Sequence, residues 1–269
     1  MNIVVCLKQV PGTTEVSIDP ETNTLRRGEV KSIINPFDTY ALEEGVRIRE
    51  RYGGRVTAVS MGPPQAAEML REAISCGADD AVLLSHPAFA GADTLVTSCT
   101  LSQAIRKTGE WDVVICGRQT IDGDTGQVGP ELAEWLEAPF VAYVTAVEEV
   151  TGSTMRVRRM VEDGHEVVEM LLPGVISVVK EINVPRLPSL RGLARARKAD
   201  IPVWTPEDIG LERDTVGLAA SATKVVRVFF PERTRRGEMI EGDPKGQVEA
   251  LLHRLRSAGI APGRRDGDD

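Results

Sequence analysis

Over its first 150 residues the chain alternates short apolar runs with amphipathic stretches of helical period, and few folds accept that order. Ile3 to Leu7 reads as a buried strand. Asn35 and Pro36 look like a cap and a first-turn proline opening a helix that runs through Arg51, with Ala41, Leu42, Gly45, Val46 and Arg49 along one side; Gly53 and Gly54 stop it. Val56 to Met61 is the next strand. A helix from about Gln65 to Cys76 ended by Gly77, a strand from Ala81 to Leu84, a helix from Thr94 to Lys107 and a strand from Val113 to Cys116 complete the series. This order predicts an α/β fold, a Rossmann-like doubly wound parallel sheet with helices on both faces and right-handed crossovers. Ligands of such sheets bind beyond the carboxyl ends of the strands, where chain order reverses. Leu7 to Gln9, Ser60 to Gly62 and the segment from Gly117 onward are the strand ends expected to meet there.

After residue 140 the pattern changes. Phe140 to Val150, Thr154 to Met160 and Glu166 to Leu171 are alternating runs separated by Thr151 to Ser153 and Glu162 to Gly164, which predicts an antiparallel hairpin addition. Val175 to Val179 reads as a strand that can return to the main sheet. Beyond Pro185 the chain is rich in proline and arginine, and from Pro202 it loses strong periodicity until a helical segment near Gln247 to Ser257. Long irregular stretches inside one domain are uncommon. Residues 185–269 are therefore expected to form an extended C-terminal arm that packs on another chain, the alternative being that they wrap their own domain. Pro262 to Asp269 are expected to be disordered.

The loop from Gly117 to Pro130 (GRQTIDGDTGQVGP) joins a strand to an amphipathic helix around Glu131 to Leu136. Backbone N–H groups in such a loop, and in the first turn of the helix that follows, lack partners and carry partial positive charge, so a phosphate can rest there without a lysine. Its four glycines let the chain come close to a ligand. Asp122 and Asp124 would repel a phosphate and are expected to point elsewhere. Asp124 with Gln127 fits a helix cap and its reciprocal partner, and Asp122 fits a turn closure or a contact to a sugar hydroxyl. An ordinary glycine-rich connector at the sheet edge explains the same spacing.

A net charge of −8 over 269 residues argues against general nucleic-acid or anionic-membrane binding. The amino terminus is too short an apolar run for a signal peptide, and no stretch reaches membrane-span length, so a cytoplasmic location is expected. Cys6, Cys76, Cys99 and Cys116 are far apart with no C-x-x-C pair, and His86, His165 and His253 are scattered. Neither a zinc site nor a disulfide frame is indicated; reduced core cysteines fit better.

Several separated stretches resemble the β (small) subunit of electron-transfer flavoproteins. Val4 to Pro11 is similar to the family's amino-terminal strand and loop, Ile34 to Glu44 to its first capped helix, Gly117 to Pro130 to its nucleotide loop, and Val157 to Ser177 to its signature pattern. The resemblance covers nearly the whole chain. It implies one subunit of an αβ heterodimer that carries electrons between dehydrogenases and a downstream acceptor, with an adenine-nucleotide-binding domain in this subunit and an FAD in the α subunit. Carried over by position, the nucleotide is met by Cys6, Leu7, Lys8 and Gln9, by Asn35 and Asp38, and by Ser60 and Met61. Along the loop it is met by Gly117, Arg118, Gln119, Asp122, Gly123, Asp124, Thr125, Gly126, Gln127, Val128, Gly129 and Pro130.

Family members hold either AMP or a second FAD at this position. Thr125 to Pro130 (TGQVGP) and Gln9 to Gly12 (QVPG) resemble the electron-bifurcating, FAD-bearing branch, in which NADH is the electron donor and electrons divide between a higher-potential and a lower-potential acceptor. Gly123, Gly126 and Gly129 also leave room for a pyrophosphate. FAD is the favoured reading and AMP the alternative. No catalytic residue and no metal site is expected, because the cofactor carries the chemistry. Residues 1–184 would form the flavin-binding domain with its hairpin, and 185–269 the recognition loop and arm on the α subunit. Pro185 to Lys198 is similar to the family's recognition loop, with Leu190 as the leucine that docks into an acyl-CoA-type dehydrogenase or quinone-reducing partner and Arg195 and Lys198 among the basic residues that follow. A solvated helix whose Leu187, Leu190 and Leu193 cover the chain's own core is the plainer alternative. Ala219 to Thr223 lacks a proline common in the family, which puts its local turn in question. Of other classes, a standalone adenine-nucleotide-binding module leaves the arm and hairpin unexplained. An ATP-pyrophosphatase-like enzyme needs a Ser-Gly-Gly-rich loop where this chain has Lys8 to Gly12.

Overall fold

The computed structural model describes residues 1–12, 32–226 and 237–260. The last residues, expected to be disordered, lie outside the described ones. Two compact units emerge, Met1–Arg227 and Val228–Asp269.

The first unit is built on a nine-stranded sheet in the order β11-β5-β4-β1-β6-β10-β7-β8-β9. β1 (Asn2–Cys6) is an interior strand, in parallel register with β4 (Arg55–Met61) on one side and β6 (Val113–Gly117) on the other. Both faces of these strands are covered, which is why their sequences are nearly continuous apolar runs instead of alternating ones. α1 (Pro36–Tyr52) and α2 (Ala66–Cys76) pack on one face, around Leu42, Val46, Leu70 and Ile74. After β5 (Asp80–Leu84), α3 (Thr94–Thr108) and α4 (Val128–Leu136) cover the other, around Leu101, Ile105 and Leu132. The expected strands and helices are all present, and the doubly wound parallel sheet is the fold observed.

The antiparallel addition is also as expected. β7 (Phe140–Val150), β8 (Thr154–Val161) and β9 (Gly164–Leu171) form a meander, and β10 (Gly174–Val178) returns to pair in parallel with both β6 and β7. A short two-stranded piece, β2 (Gln9–Pro11) with β3 (Ser32–Ile34), sits beyond the end of β1.

The segment from residue 185 departs from the arm expected of it. Residues 185–226 belong to the first unit, so the alternative of wrapping the chain's own domain describes them. α5 (Leu190–Lys198) lies on α2, where Arg71 donates to the carbonyls of Ala196 and Ala199 at 3.1 and 2.6 Å. β11 (Val203–Trp204) adds to the free edge of β5. α6 (Gly217–Ala220) leads into the turn lacking the proline, which is pinned instead by Asp93: its N–H donates to Ser221 Oγ at 2.8 Å, and its carboxylate accepts from the Thr223 N–H at 3.0 Å. In the second unit α7 (Pro244–Ser257) is capped by the Asp243 carboxylate, which accepts from the Gly246 N–H at 3.1 Å.

Candidate functional site

Chain order reverses beside β1. The connections from β1 to β4 to β5 step outward in one direction, and α3 then carries the chain back to β6 on the opposite side of β1. The carboxyl ends of β4, β1 and β6 consequently lie side by side, with Cys6 in register with both Val59 and Cys116. Ser60 and Met61, Leu7 to Gln9, and Gly117 onward are the residues that emerge there, as the strand order required.

Asn35 and Asp38 tie this end of the sheet together, and both are buried. Asn35 occupies the cap position of α1 but does not cap it; its side chain turns to the glycine loop. Its amide nitrogen donates to the Gln119 carbonyl at 2.8 Å, and its amide oxygen accepts from the Ile121 N–H at 3.2 Å. The same nitrogen donates to Asp38 Oδ1 at 2.9 Å, while Asp38 Oδ2 accepts from the Lys8 N–H at 2.7 Å. Burial pushes the Asp38 carboxyl up to about 7, against the pull of its hydrogen bonds from Asn35 and Lys8. Gly117 is the close approach in this cluster: a Cβ there would overlap Asp38 Oδ1 and stand 2.7 Å from the Phe37 carbonyl carbon.

The loop itself is exposed. Asp124 adopts a left-handed backbone (φ 55°) and accepts from the Gln119 side chain, so it does not cap α4. The helix starts earlier than expected, at Val128, with Gln127 at its cap position making no side-chain cap bond. Val128, Gly129 and Pro130 thus form the first turn of α4, and Gly126 (φ 64°) turns the chain into it. Asp122 is drawn back from the loop by Lys8, whose ammonium lies 2.8 Å away. Burial raises its carboxyl, but the Lys8 bond and charge outweigh that and leave it below the usual range. Both acids are therefore engaged by side-chain partners at this end of the sheet, Lys8 and Gln119, which the sequence did not indicate.

What remains is a run of free donors. Among the described residues the N–H groups of Thr125, Gly126 and Gln127 have no partner, and those of Val128 and Gly129 open a helix that cannot use them. On the other side of β1, Ser60 is fully buried and its hydroxyl has no partner among the described residues. A buried hydroxyl without a partner is costly unless something polar meets it. Free N–H groups at a helix start, glycines, and an orphaned hydroxyl two strands away suit a phosphate-bearing nucleotide. Two surface depressions of about 590 Å³ each lie elsewhere, one between α1 and β7 and one at the amino ends of the central strands. Neither gathers such donors, so the loop at the strand ends is the better site.

Other polar groups at this end of the sheet escaped the sequence reading. Thr94, first residue of α3, donates to Glu131 Oε1 at 3.0 Å, and burial holds the Glu131 carboxyl above its ordinary range. Asp93 caps α3 by accepting from the Val96 N–H at 3.0 Å, a signal that Asp followed by Thr before an apolar run could have given. Tyr143 has a left-handed backbone (φ 60°) and its ring lies 5.3 Å from the Arg118 guanidinium. Nothing in the sequence marks that conformation. Leu190 is 88% and Leu187 86% exposed, so these leucines do not cover the core as the plainer reading of α5 had it. Lys198 is exposed too, whereas Arg195 donates to the carbonyls of Ile74 and Ala78 at 2.9 and 2.6 Å.

Residues 22–209 match the family model described as the electron transfer flavoprotein domain. Over 258 residues the chain is 50% identical to the electron transfer flavoprotein subunit beta of Thermoanaerobacterium thermosaccharolyticum, covering 96% of this chain and 98% of that one. The chain belongs to the electron-transfer flavoprotein β-subunit family. It is also 48% identical to the caffeyl-CoA reductase-Etf complex subunit CarD of Acetobacterium woodii (94% and 96% covered) and 43% identical to protein FixA of Azotobacter vinelandii (95% and 94%). Electron transfer is the role of this family, which associates with flavin and nucleotide and implies an electron-transfer flavoprotein α subunit as partner. No helix among the described residues is long and apolar enough to cross a membrane.

Proposed function

We propose that the chain is the FAD-bearing β subunit of an αβ electron-transfer flavoprotein that takes electrons from NADH or an acyl-CoA-type dehydrogenase and divides them between two acceptors. The observation that carries the nucleotide site is the run of unpartnered N–H groups from Thr125 to Gly129 facing a sheet end that also holds the orphaned Ser60 hydroxyl. Thr125 to Gly129 would hold the phosphates, and Ser60, Met61, Cys6 and Leu7 to Gln9 the rest of the nucleotide, while Asn35 and Asp38 fix the loop. When bound, FAD supplies the redox chemistry; the chain supplies position and electrostatics.

Support for FAD over AMP comes from the exposed glycines at 123 and 126, which leave length along the loop for two phosphates, whereas Gly129 is buried against the Phe140 ring, and from relatives named for caffeyl-CoA and acryloyl-CoA reductase systems. Leu190, at the start of a helix that ends on the basic Arg197 and Lys198, is the anchor for the dehydrogenase, in keeping with an exposed apolar side chain on a basic segment. The test is co-purification with the α subunit followed by release and identification of bound nucleotide. Two FAD per heterodimer supports the proposal. One FAD with one AMP replaces it with simple transfer, and no nucleotide beyond the α-subunit FAD removes the site.

A further inference from the structure

The Asn35 side chain can hold the glycine loop in only one orientation. Ile121 presents an N–H, which needs the amide oxygen, and Gln119 presents a carbonyl, which needs the amide nitrogen. The second hydrogen of that nitrogen goes to Asp38 Oδ1, and Asp38 Oδ2 takes the Lys8 N–H. Every neighbour that reaches the Asp38 carboxyl is therefore a donor, and a proton on either oxygen would confront one of them. A protonated Asp38 is satisfied by donating to the Asn35 oxygen, which requires the amide to turn over. The turned amide sets N–H against the Ile121 N–H and oxygen against the Gln119 carbonyl, and the loop loses both anchors.

We propose that Asp38 is a proton-operated latch on the nucleotide loop: ionised, it locks the Asn35 amide in the holding orientation, and protonated, it lets the loop go. Of the charged and titratable groups around it, the Lys8 ammonium favours the ionised state, and burial opposes it. Lys8, at the exit of β1, has its ammonium on Asp122, and from β6 the Cys116 thiol is near enough to feel the Asp38 charge, with the Cys6 thiol of β1 hydrogen-bonded to it. Burial, opposed by the donors of Asn35 and Lys8, places the transition near neutrality. In this proposal Asp38 is a positioning residue that acts through Asn35. This inference rests on the loop being the nucleotide site.

The experiment uses the αβ heterodimer. It follows release of the bound adenine nucleotide by stopped flow and hydrogen exchange of the peptide spanning residues 118–126, corrected for intrinsic exchange, between about pH 6 and 8. In the wild type, release and loop exchange accelerate as pH falls, approaching about tenfold per unit, the limit for one proton. Asp38→Asn removes the slope. Asn35→Ala is fast at every pH and also without slope, which serves should Asp38→Asn fail to fold. A flat wild-type profile, or a wild-type slope surviving in either variant, overturns the latch. Heterodimer that carries no nucleotide at this site defeats the functional proposal instead, and the exchange profile then decides the latch alone.

Discussion

Arg186 grips the buried Glu43 of α1 three times: its backbone N–H and Nε meet Oε2 at 3.1 and 2.8 Å, and Nη2 meets Oε1 at 3.1 Å. The remaining side of the guanidinium takes Glu50, at 2.6 Å. Removing the guanidinium leaves the buried carboxylate with only the backbone N–H of residue 186 and the exposed Arg47, 3.7 Å away. Arg186→Ala is expected to cost about 2 kcal/mol in a urea titration, a value kept modest because Arg186 is partly solvated. Arg186→Lys recovers less than half of it, since an ammonium cannot reproduce the fork.

Gly117→Ala should damage stability and site together. The added methyl overlaps Asp38 Oδ1 and crowds the Phe37 carbonyl carbon, neither of which can retreat, because α1 is packed on the sheet. A loss of about 1–3 kcal/mol is expected in thermal or chemical unfolding, with lower nucleotide content in what remains folded.

Gly123 is different. A Cβ there meets only the Thr120 hydroxyl, at 3.3 Å, so Gly123→Val is expected to leave the unfolding midpoint nearly unchanged while bound nucleotide falls to about a tenth or less. Gly126→Val loses nucleotide as well, and costs about 1–2 kcal/mol in addition, because valine resists the backbone at φ 64°. Normal nucleotide content in the Gly123 variant would refute the loop assignment.

The Asp38 carboxyl gives stability a pH dependence of definite sign. Its value is raised in the folded state from 3.8 to about 7, so the folded protein holds this proton more tightly than the unfolded chain. The contribution is full below 3.8 and is lost as pH climbs toward about 7, beyond which it is flat. With urea midpoints of wild type and Asp38→Asn compared from pH 5 to 8, the wild type should fall relative to the variant up to about pH 7 and run parallel to it above.

Most of the sheet was legible because parallel strands buried on both faces must be apolar runs, and helices between them announce themselves by period and by stops such as Gly53 and Gly77. The glycine loop was legible for a similar reason: only backbone donors and small residues are needed to make it. The polar wiring was not. Asn35 before a proline looks like a cap in any sequence, and its true partners, Gln119 and Ile121, lie 84 and 86 residues away. Asp124 and Gln127 have capping spacing, yet the capping role went unused once Asp124 took a left-handed turn and bonded Gln119. Residues 185–226 read as an arm because they lack periodicity. They are held instead by side chains reaching backbone carbonyls and by a two-residue edge strand, contacts that leave no periodic trace.

Two residues of the recognition segment should separate cleanly. Leu190→Ala, at an 88% exposed position, is expected to leave the unfolding midpoint unchanged and to weaken dehydrogenase capture in a pull-down or kinetic assay. Arg195→Ala removes donors from the carbonyls of Ile74 and Ala78 and is expected to cost about 1–2 kcal/mol of stability, even though its side chain is 46% exposed.

Those bonds also bear on how quickly a partner can be met and left. Gly192 lets α5 lie directly on α2, since a methyl there would strike the Ser75 carbonyl oxygen, and Ser189 caps the helix by accepting from the Gly192 N–H at 2.9 Å. Leu190, the first residue of that helix, is presented already in place. A handle fixed before encounter has little disorder left to surrender on capture, so specificity does not have to be bought with a large interface. If the proposed function holds and the subunit collects electrons from a dehydrogenase through Leu190, such a rigid grip favours brief and repeatable engagement over long residence.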